Sequence, residues 1–391
     1  MSGVEPVGAE ERLRIAVLAD FDGPHARSWL RWFVERGHDV HAISYYAPRE
    51  PIDGVTVHAL RPSAHGAPGG GAASAAGRLP RGLVRVAQAL RYRRAGLGRV
   101  VREIAPDVLH AHYVVEHGFY GALAGFHPYV VTAWGSDILV EPARDPLTKL
   151  IARWTLRRAD AATSNNGYMA DRMVALGAPR ERLSVITLGA DRSFLERHDA
   201  SVNVGGNAAG RAPVVLSTRA HEPLYNIGDV IAAYARFVRA RPDAKLVVAH
   251  GGSLTRELQR RAAEAGGRVE FIGFVGAAAL RDAMTDAEVF VSVPSSDGTS
   301  VALLQAMAAG CFPVVSDLAT QRELVDDGVT GFRVPLHRPD LLADRILRAL
   351  ADAELRRAAA ARNRALVEDR GLNEHEMAKM ETVYRRLARG R

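Results

Sequence analysis

The sequence predicts an α/β protein built from two doubly wound parallel-sheet domains. Three observations carry this. Strand-like runs rich in Val, Ile, Leu and Ala alternate with amphipathic helical runs through both halves of the chain. A polar, glycine-rich stretch, RHDASVNVGGNAAGR at 197–211, separates the halves as a linker. The chain has 391 residues, enough for two separate cores. The expected domains are 1–196 and 212–373, with a last helix at 374–391 returning to pack on the first.

Hydrophobic residues make up 48% and charged residues 24%, as in ordinary globular proteins. No apolar run reaches the length of a membrane span. The N-terminus, MSGVEPVGAEERLRIAVLAD, is polar and acidic ahead of its first apolar run, and is not read as a signal peptide. Cys311 is the single cysteine, which excludes internal disulfides and fits a reducing, cytoplasmic setting. The net charge is +7, carried almost wholly by arginine; the lysines are Lys149, Lys245 and Lys379. That excess favours anionic ligands or an anionic surface. No nucleic-acid partner is expected.

Taken in order, 13–20 (LRIAVLAD) reads as a buried strand. A turn follows at Phe21–Pro24, then a helix over 25–35 with Trp29, Leu30 and Phe33 inward. Strands follow at 39–44 and 55–60. Gly23 places a helix N-terminus at the sheet's carboxyl edge without a GxGxxG pattern, so a plain turn and a ligand site are equally open. Residues 62–80 are of low complexity and read as a mobile loop. A helix from about 82 to 104 carries Arg81, Arg85, Arg91, Arg93, Arg94, Arg99 and Arg102. Its arginines read first as a solvated face; the alternatives are docking on an anionic membrane and gripping an anionic acceptor. In the strand 107–113, His110 and His112 share one face. No carboxylate or cysteine accompanies them, so a polar pair is expected rather than a metal site. After a helix over 116–125, a strand over 129–139 ends in Trp134-Gly135-Ser136-Asp137. Asp137 either caps a turn or meets a substrate hydroxyl. The first half closes with helices at 147–158 and 167–177 and strands at 161–166 and 183–189.

The second half repeats the alternation: strands at 213–219, 245–251 and 268–274, with helices at 227–241, 253–266 and 276–286. Its centre is 286–318, AEVFVSVPSSDGTSVALLQAMAAGCFPVVSDLA. This reads as a strand, a polar turn, a helix over Val301–Ala309 stopped by Gly310, and a strand from Phe312 to Ser316. Asp297 stands just before the helix N-terminus and Gln305 two turns in, about 10–12 Å apart along the axis. The N–H groups of Thr299, Ser300 and Val301 form a nest suited to phosphate. Alone, Asp297 could be a capping residue and Gln305 a bonded core amide. A strand at 331–336 and helices at 339–369 and 374–388 complete the chain.

The block Pro294-Ser295, Asp297, Gln305-Ala306-Met307-Ala308-Ala309-Gly310, Pro313-Val314-Val315, Glu323 and Asp327-Gly328-Val329-Thr330-Gly331-Phe332 resembles the donor-binding half of family 4 glycosyltransferases. Ile186–Asp191 with Phe194, Gly37–Val40 and Pro106–His110 fit the family's first half. The resemblance spans nearly the whole chain and implies the GT-B fold, two Rossmann-like domains facing across a cleft. It implies retaining transfer from a nucleoside-diphosphate sugar to a hydroxyl acceptor (a glycan, a lipid-linked glycan or a small natural product), without a metal or other cofactor. Asp297 would then meet the sugar hydroxyls and Gln305 the ribose; the family has Glu at both positions. Gly298, Thr299, Ser300 and Val301 would hold the distal phosphate, Arg219 the diphosphate, and Phe274 with Val275 the base. The family's lysine after Arg219 is missing from His221–Asn226, and Trp134 stands where the family often has histidine. Asp137, His112 or His25 would take over that contact. A GT-B partner protein without turnover and a nucleotide-sugar epimerase are the alternatives.

Overall fold

The computed structural model describes residues 11–61, 80–196 and 211–390. The low-complexity loop and the linker expected from the sequence lie outside those residues, apart from Pro80 and Arg211. The chain divides into two compact units, Met1–Leu188 with Glu376–Arg391, and Gly189–His375. The division falls ahead of the linker, so the short helix Ser193–Glu196 belongs to the second unit.

Unit 1 is built on a seven-stranded sheet in the order β3-β2-β1-β4-β5-β6-β7. The strands are β1 (Arg14–Leu18), β2 (Asp39–Ser44), β3 (Val55–Ala59), β4 (Val108–His112), β5 (Tyr129–Thr132), β6 (Ala161–Ser164) and β7 (Leu183–Val185). All neighbours pair in parallel; Ala16 of β1, for example, stands between His41 of β2 and Leu109 of β4. Continuous apolar runs such as Ile15–Leu18 are fully buried because helices cover both faces of a parallel sheet. The chain order reverses between β1 and β4, and there the carboxyl ends of the two strands leave an opening.

Unit 2 has a six-stranded parallel sheet in the order β10-β9-β8-β11-β12-β13. Its strands are β8 (Val214–Ser217), β9 (Lys245–Ala249), β10 (Arg268–Gly273), β11 (Val289–Ser292), β12 (Phe312–Ser316) and β13 (Phe332–Val334). The reversal lies between β8 and β11. The helix expected over Val301–Ala309 has those bounds, and Gly310 ends it at φ +89°, a left-handed conformation that favours glycine.

Several local expectations change. The helix expected over 82–104 is two, Arg81–Arg94 and Leu97–Ile104, divided where Gly96 turns to φ +91°. Its arginines do not all face water: Arg85 is enclosed and ion-paired with both Glu116 and Glu141. The helix expected from 116 starts earlier, as a π-turn at Val114–Gly118 continued by Phe119–Leu123. The strand expected over 129–139 stops at Thr132, and Ser136–Leu139 is a helical turn.

The helix Asn373–Arg389 carries the chain back, and from Glu376 on it is part of unit 1. Tyr384 is fully buried there against Phe33, with ring centroids 5.1 Å apart. Glu381 is clasped by Arg36 at 3.1 Å and Arg385 at 2.5 Å, with His38 Nε2 at 3.4 Å. Burial pushes this carboxyl up, but the contacts with His38, Arg385 and Arg36 outweigh it and hold it down to about 2. A depressed carboxylate stabilises the fold above its unfolded value, roughly 4.3, and loses that contribution as pH falls towards 2. Glu381→Gln is therefore expected to cost on the order of 2 kcal/mol at pH 7 in urea titrations. The gap from wild type should close below about pH 4.

Candidate active site

In unit 2, Arg219 and the loop 294–300 meet at the topological switch point. Arg219 follows β8 and its side chain lies across the loop that follows β11. Its two terminal nitrogens donate to Ser300 Oγ at 2.7 Å and Asp297 Oδ2 at 2.9 Å. Its plane lies 4.4 Å from the Tyr225 ring, and its Nε is buried without a partner among the described residues. Burial raises the Asp297 carboxyl, against the pull of Arg219 and the Gly298 N–H.

The segment that lacks the family lysine has a structural job. His221 is buried between Thr255 Oγ1 (2.9 Å) and the Ala249 carbonyl (3.2 Å), and Glu222 accepts from Ser253. The turn Pro223–Tyr225 is pinned to the loop by Ser295 N–H donating to Leu224 O at 2.9 Å. Asn226 Nδ2 adds a bond of 2.9 Å to Val293 O. These ties place the Tyr225 ring under Arg219 and so set the guanidinium beside Asp297.

Ser300 caps Val301–Ala309, its Oγ accepting from Leu303 N–H. The N–H groups of Val301 and Ala302 have no partner among the described residues and sit at the positive end of the helix. Gln305 is half-buried and makes no side-chain hydrogen bond among the described residues, which separates it from a satisfied core amide. Phe274 is 77% exposed, its ring 4.3 Å from that of His250 and beside Gly251, with Val275 half-buried after it. An apolar ring left open on a loop edge is suited to stacking on a planar ligand.

In unit 1, a hollow of about 230 Å³ opens at the switch point between β1 and β4. It is lined by Asp20 and Gly23 after β1, by His112, Glu116 and His117 at the end of β4 and beyond, and by Trp134 after β5. His112 is 3% exposed, and neither of its ring nitrogens has a partner among the described residues. Trp29 and Trp134 pack edgewise on it at 5.1 and 5.3 Å. Burial, with His117 and His25 nearby, holds its pKa down at about 3, so the ring is neutral and offers one donor and one acceptor. His25 is exposed and stacks on Trp134 at 5.5 Å. His110, expected to share the edge with His112, is instead fully buried. Its nitrogens are taken by Tyr384 Oη (2.5 Å) and Thr132 Oγ1 (2.7 Å).

Asp137 is corrected. It is wholly buried, its oxygens accept the N–H groups of Val114 (2.8 Å), Trp134 (3.1 Å) and Gly135 (2.8 Å), and it does not line the hollow. It holds the loop after β5 to the turn after β4. Burial raises its pKa to about 6, against those three bonds. Asp20, Glu116 and His117 were not singled out from the sequence. Only a position just past a strand end marked them.

The sequence matches a family model described as glycosyl transferases group 1 over residues 205–366, and one described as glycosyl transferase 4-like over 14–166. Phosphatidyl-myo-inositol mannosyltransferase of Mycolicibacterium smegmatis is 28% identical over 246 residues, 61% of this chain and 53% of that protein. The chain thus spans about half the length of that relative. N-acetyl-alpha-D-glucosaminyl L-malate synthase of Bacillus anthracis is 26% identical over 291 residues, 71% of this chain and 74% of its own. The crystal structure of Anabaena HepE in complex with UDP-glucose superposes with a TM-score of 0.72 at 17% identity, over 95% of this chain and 100% of that one. That likeness shows the fold, GT-B. With one model on the sheet of each unit, the chain belongs to the group 1, 4-like family of glycosyltransferases.

Proposed function

We propose that the protein transfers a sugar from a nucleoside-diphosphate donor to a hydroxyl acceptor with retention of anomeric configuration. The observation that carries this is the grouping of Arg219, Asp297 and the open N–H groups of Val301 and Ala302 at the switch point of unit 2. Relatives named for mannosyl transfer and for glucosaminyl malate synthesis, and a fold neighbour holding UDP-glucose, support it.

Arg219 and the helix N-terminus stabilise the departing diphosphate, a role that calls for no metal. Gly298, Thr299 and Ser300 frame the phosphate, Asp297 takes sugar hydroxyls, Gln305 the ribose and Phe274 the base. The C1–O bond to phosphate breaks, and the acceptor oxygen bonds to C1 from the same face. A phosphate oxygen takes the acceptor proton, so no strong protein base is needed. His112 orients a hydroxyl through its two open nitrogens.

The test is mass spectrometry of the purified protein with a panel of nucleotide sugars. Transfer or donor hydrolysis is the expected result. Nucleotide binding without any turnover would favour a partner protein instead, a reading that draws support from the missing lysine and from an Arg219 charge already met by Asp297.

Contact with an anionic membrane belongs to the same proposal. Leu83 and Leu90 (both 47% exposed) share a helix with Arg91, Arg93 and Arg94. The helix packed beside it, Pro146–Arg158, exposes Leu150 and Trp154 among Arg153 and Arg157. No helix among the described residues is long and apolar enough to cross a membrane. Co-sedimentation with phosphatidylglycerol vesicles, lost in high salt and weakened in Leu90→Glu, is expected. Equal binding to neutral vesicles would exclude it.

A further inference from the structure

The hollow at His112 does not end there. Two more, of about 200 and 250 Å³, adjoin it, and all three share His117 in their walls. The far part is walled by tyrosines: Tyr45, Tyr46 and Tyr92 border both added hollows. Tyr92 stacks on Tyr120 with centroids 4.6 Å apart, which fixes both rings.

We propose that the acceptor is a ring polyol, a pyranose or cyclitol, bearing an anionic substituent, its ring lying on the tyrosine wall and its anion on Arg91. This rests on the transferase reading and names the acceptor class for it. Flat aromatic faces match the C–H faces of such rings, and few fixed polar groups orient them. Two of the wall's hydroxyls are already bonded. Tyr92 Oη meets His117 Nε2 at 3.2 Å, and Tyr120 Oη donates to Gln88 Oε1 at 2.6 Å.

Three carboxylates border the hollows: Asp20 the first and third, Asp22 the third, and Glu116 the first and second, where its charge is matched by Arg85. Arg91 borders the second, which does not reach His112. Its guanidinium is 4.8 Å over the Tyr45 ring, and it makes no ion pair with a carboxylate among the described residues. The exposed Arg93 and Arg94 follow it in the last turn of the helix. A stacked guanidinium has its edge held in place for bidentate bonding to phosphate or carboxylate. The anion therefore sits at the end of the ring remote from the hydroxyl presented at His112.

The experiment uses the full chain and two probe pairs, myo-inositol against myo-inositol 1-phosphate and glucose against glucose 6-phosphate. Calorimetry and saturation-transfer NMR are run at constant ionic strength, with UDP and GDP as donor-side probes. At least one phosphorylated probe is expected to bind about ten-fold or more tighter than its neutral partner. Arg91→Gln should abolish that preference, and Tyr46→Ala should weaken both members of the pair alike. Neither change should alter nucleotide affinity. Equal binding within both pairs, a preference that survives Arg91→Gln, or nucleotide binding with none of the four ring probes bound would each overturn the proposal. A phosphorylated ring bound through Arg91 with no nucleotide bound would sustain the pocket's assignment and sink the transferase reading.

Discussion

Arg219→Ala is expected to lower kcat/KM for the nucleotide-sugar donor by about three orders of magnitude, with most of the loss in kcat. The reason is the place of the charge. In the proposed reaction the guanidinium sits where the diphosphate accumulates negative charge as the sugar leaves, and no lysine stands in His221–Asn226 to share the work. Arg219→Lys should recover little, because a point charge cannot copy the fork that meets Asp297 and Ser300 at once. Steady-state kinetics with calorimetry of nucleotide binding would check this. A variant turning over at the wild-type rate would remove Arg219 from the chemistry. Stability should change less, since burial already raises the Asp297 carboxyl and loss of its counter-charge raises it further, towards the neutral form that burial favours.

His112→Ala is expected to lower turnover by about 100-fold, and His112→Gln, which keeps a donor and an acceptor, by much less. Because burial holds the His112 pKa near 3, the wild-type rate should show no limb near pH 6.5 from this residue. The same shift has a stability consequence. His112 is neutral in the fold but takes a proton in the unfolded chain below about pH 6.5, so stability falls as pH drops through that value towards 3. Burial depresses His110 and His117 in the same sense. His112→Ala should flatten the acid side of the stability curve, by up to about 1.4 kcal/mol per pH unit. An unchanged slope in denaturant titrations between pH 4 and 6 would show that His112 is not buried neutral.

The fold was legible because a parallel sheet writes its strands as apolar runs and its helices as 3.6-residue periods. The helix Val301–Ala309 was read to the residue, since Ser300 and Gly310 mark its ends. What escaped was set by contacts distant in sequence. Nothing near Asp137 tells whether its oxygens turn to a ligand or to the N–H of Val114, which belongs to a neighbouring strand's turn. Arg85 read as one arginine of a basic face until Glu116 and Glu141 closed on it. The tyrosine wall gathers residues from after β2, from the helix Arg81–Arg94 and from the turn after β4, with no spacing that joins them. Gly96 was visible in the sequence, but glycine alone does not say whether a helix bends or ends.

The return of the helix Asn373–Arg389 to unit 1 fixes an order of events on the ribosome. Synthesis runs from the N-terminus, so all of unit 2 is joined into the chain before Tyr384 is added. Until then His110 and Trp29 lack the phenol that bonds both of them, and Phe33 lacks the ring that covers it. Unit 2 has its whole sequence joined before unit 1 does. Unit 1, begun first, is finished last.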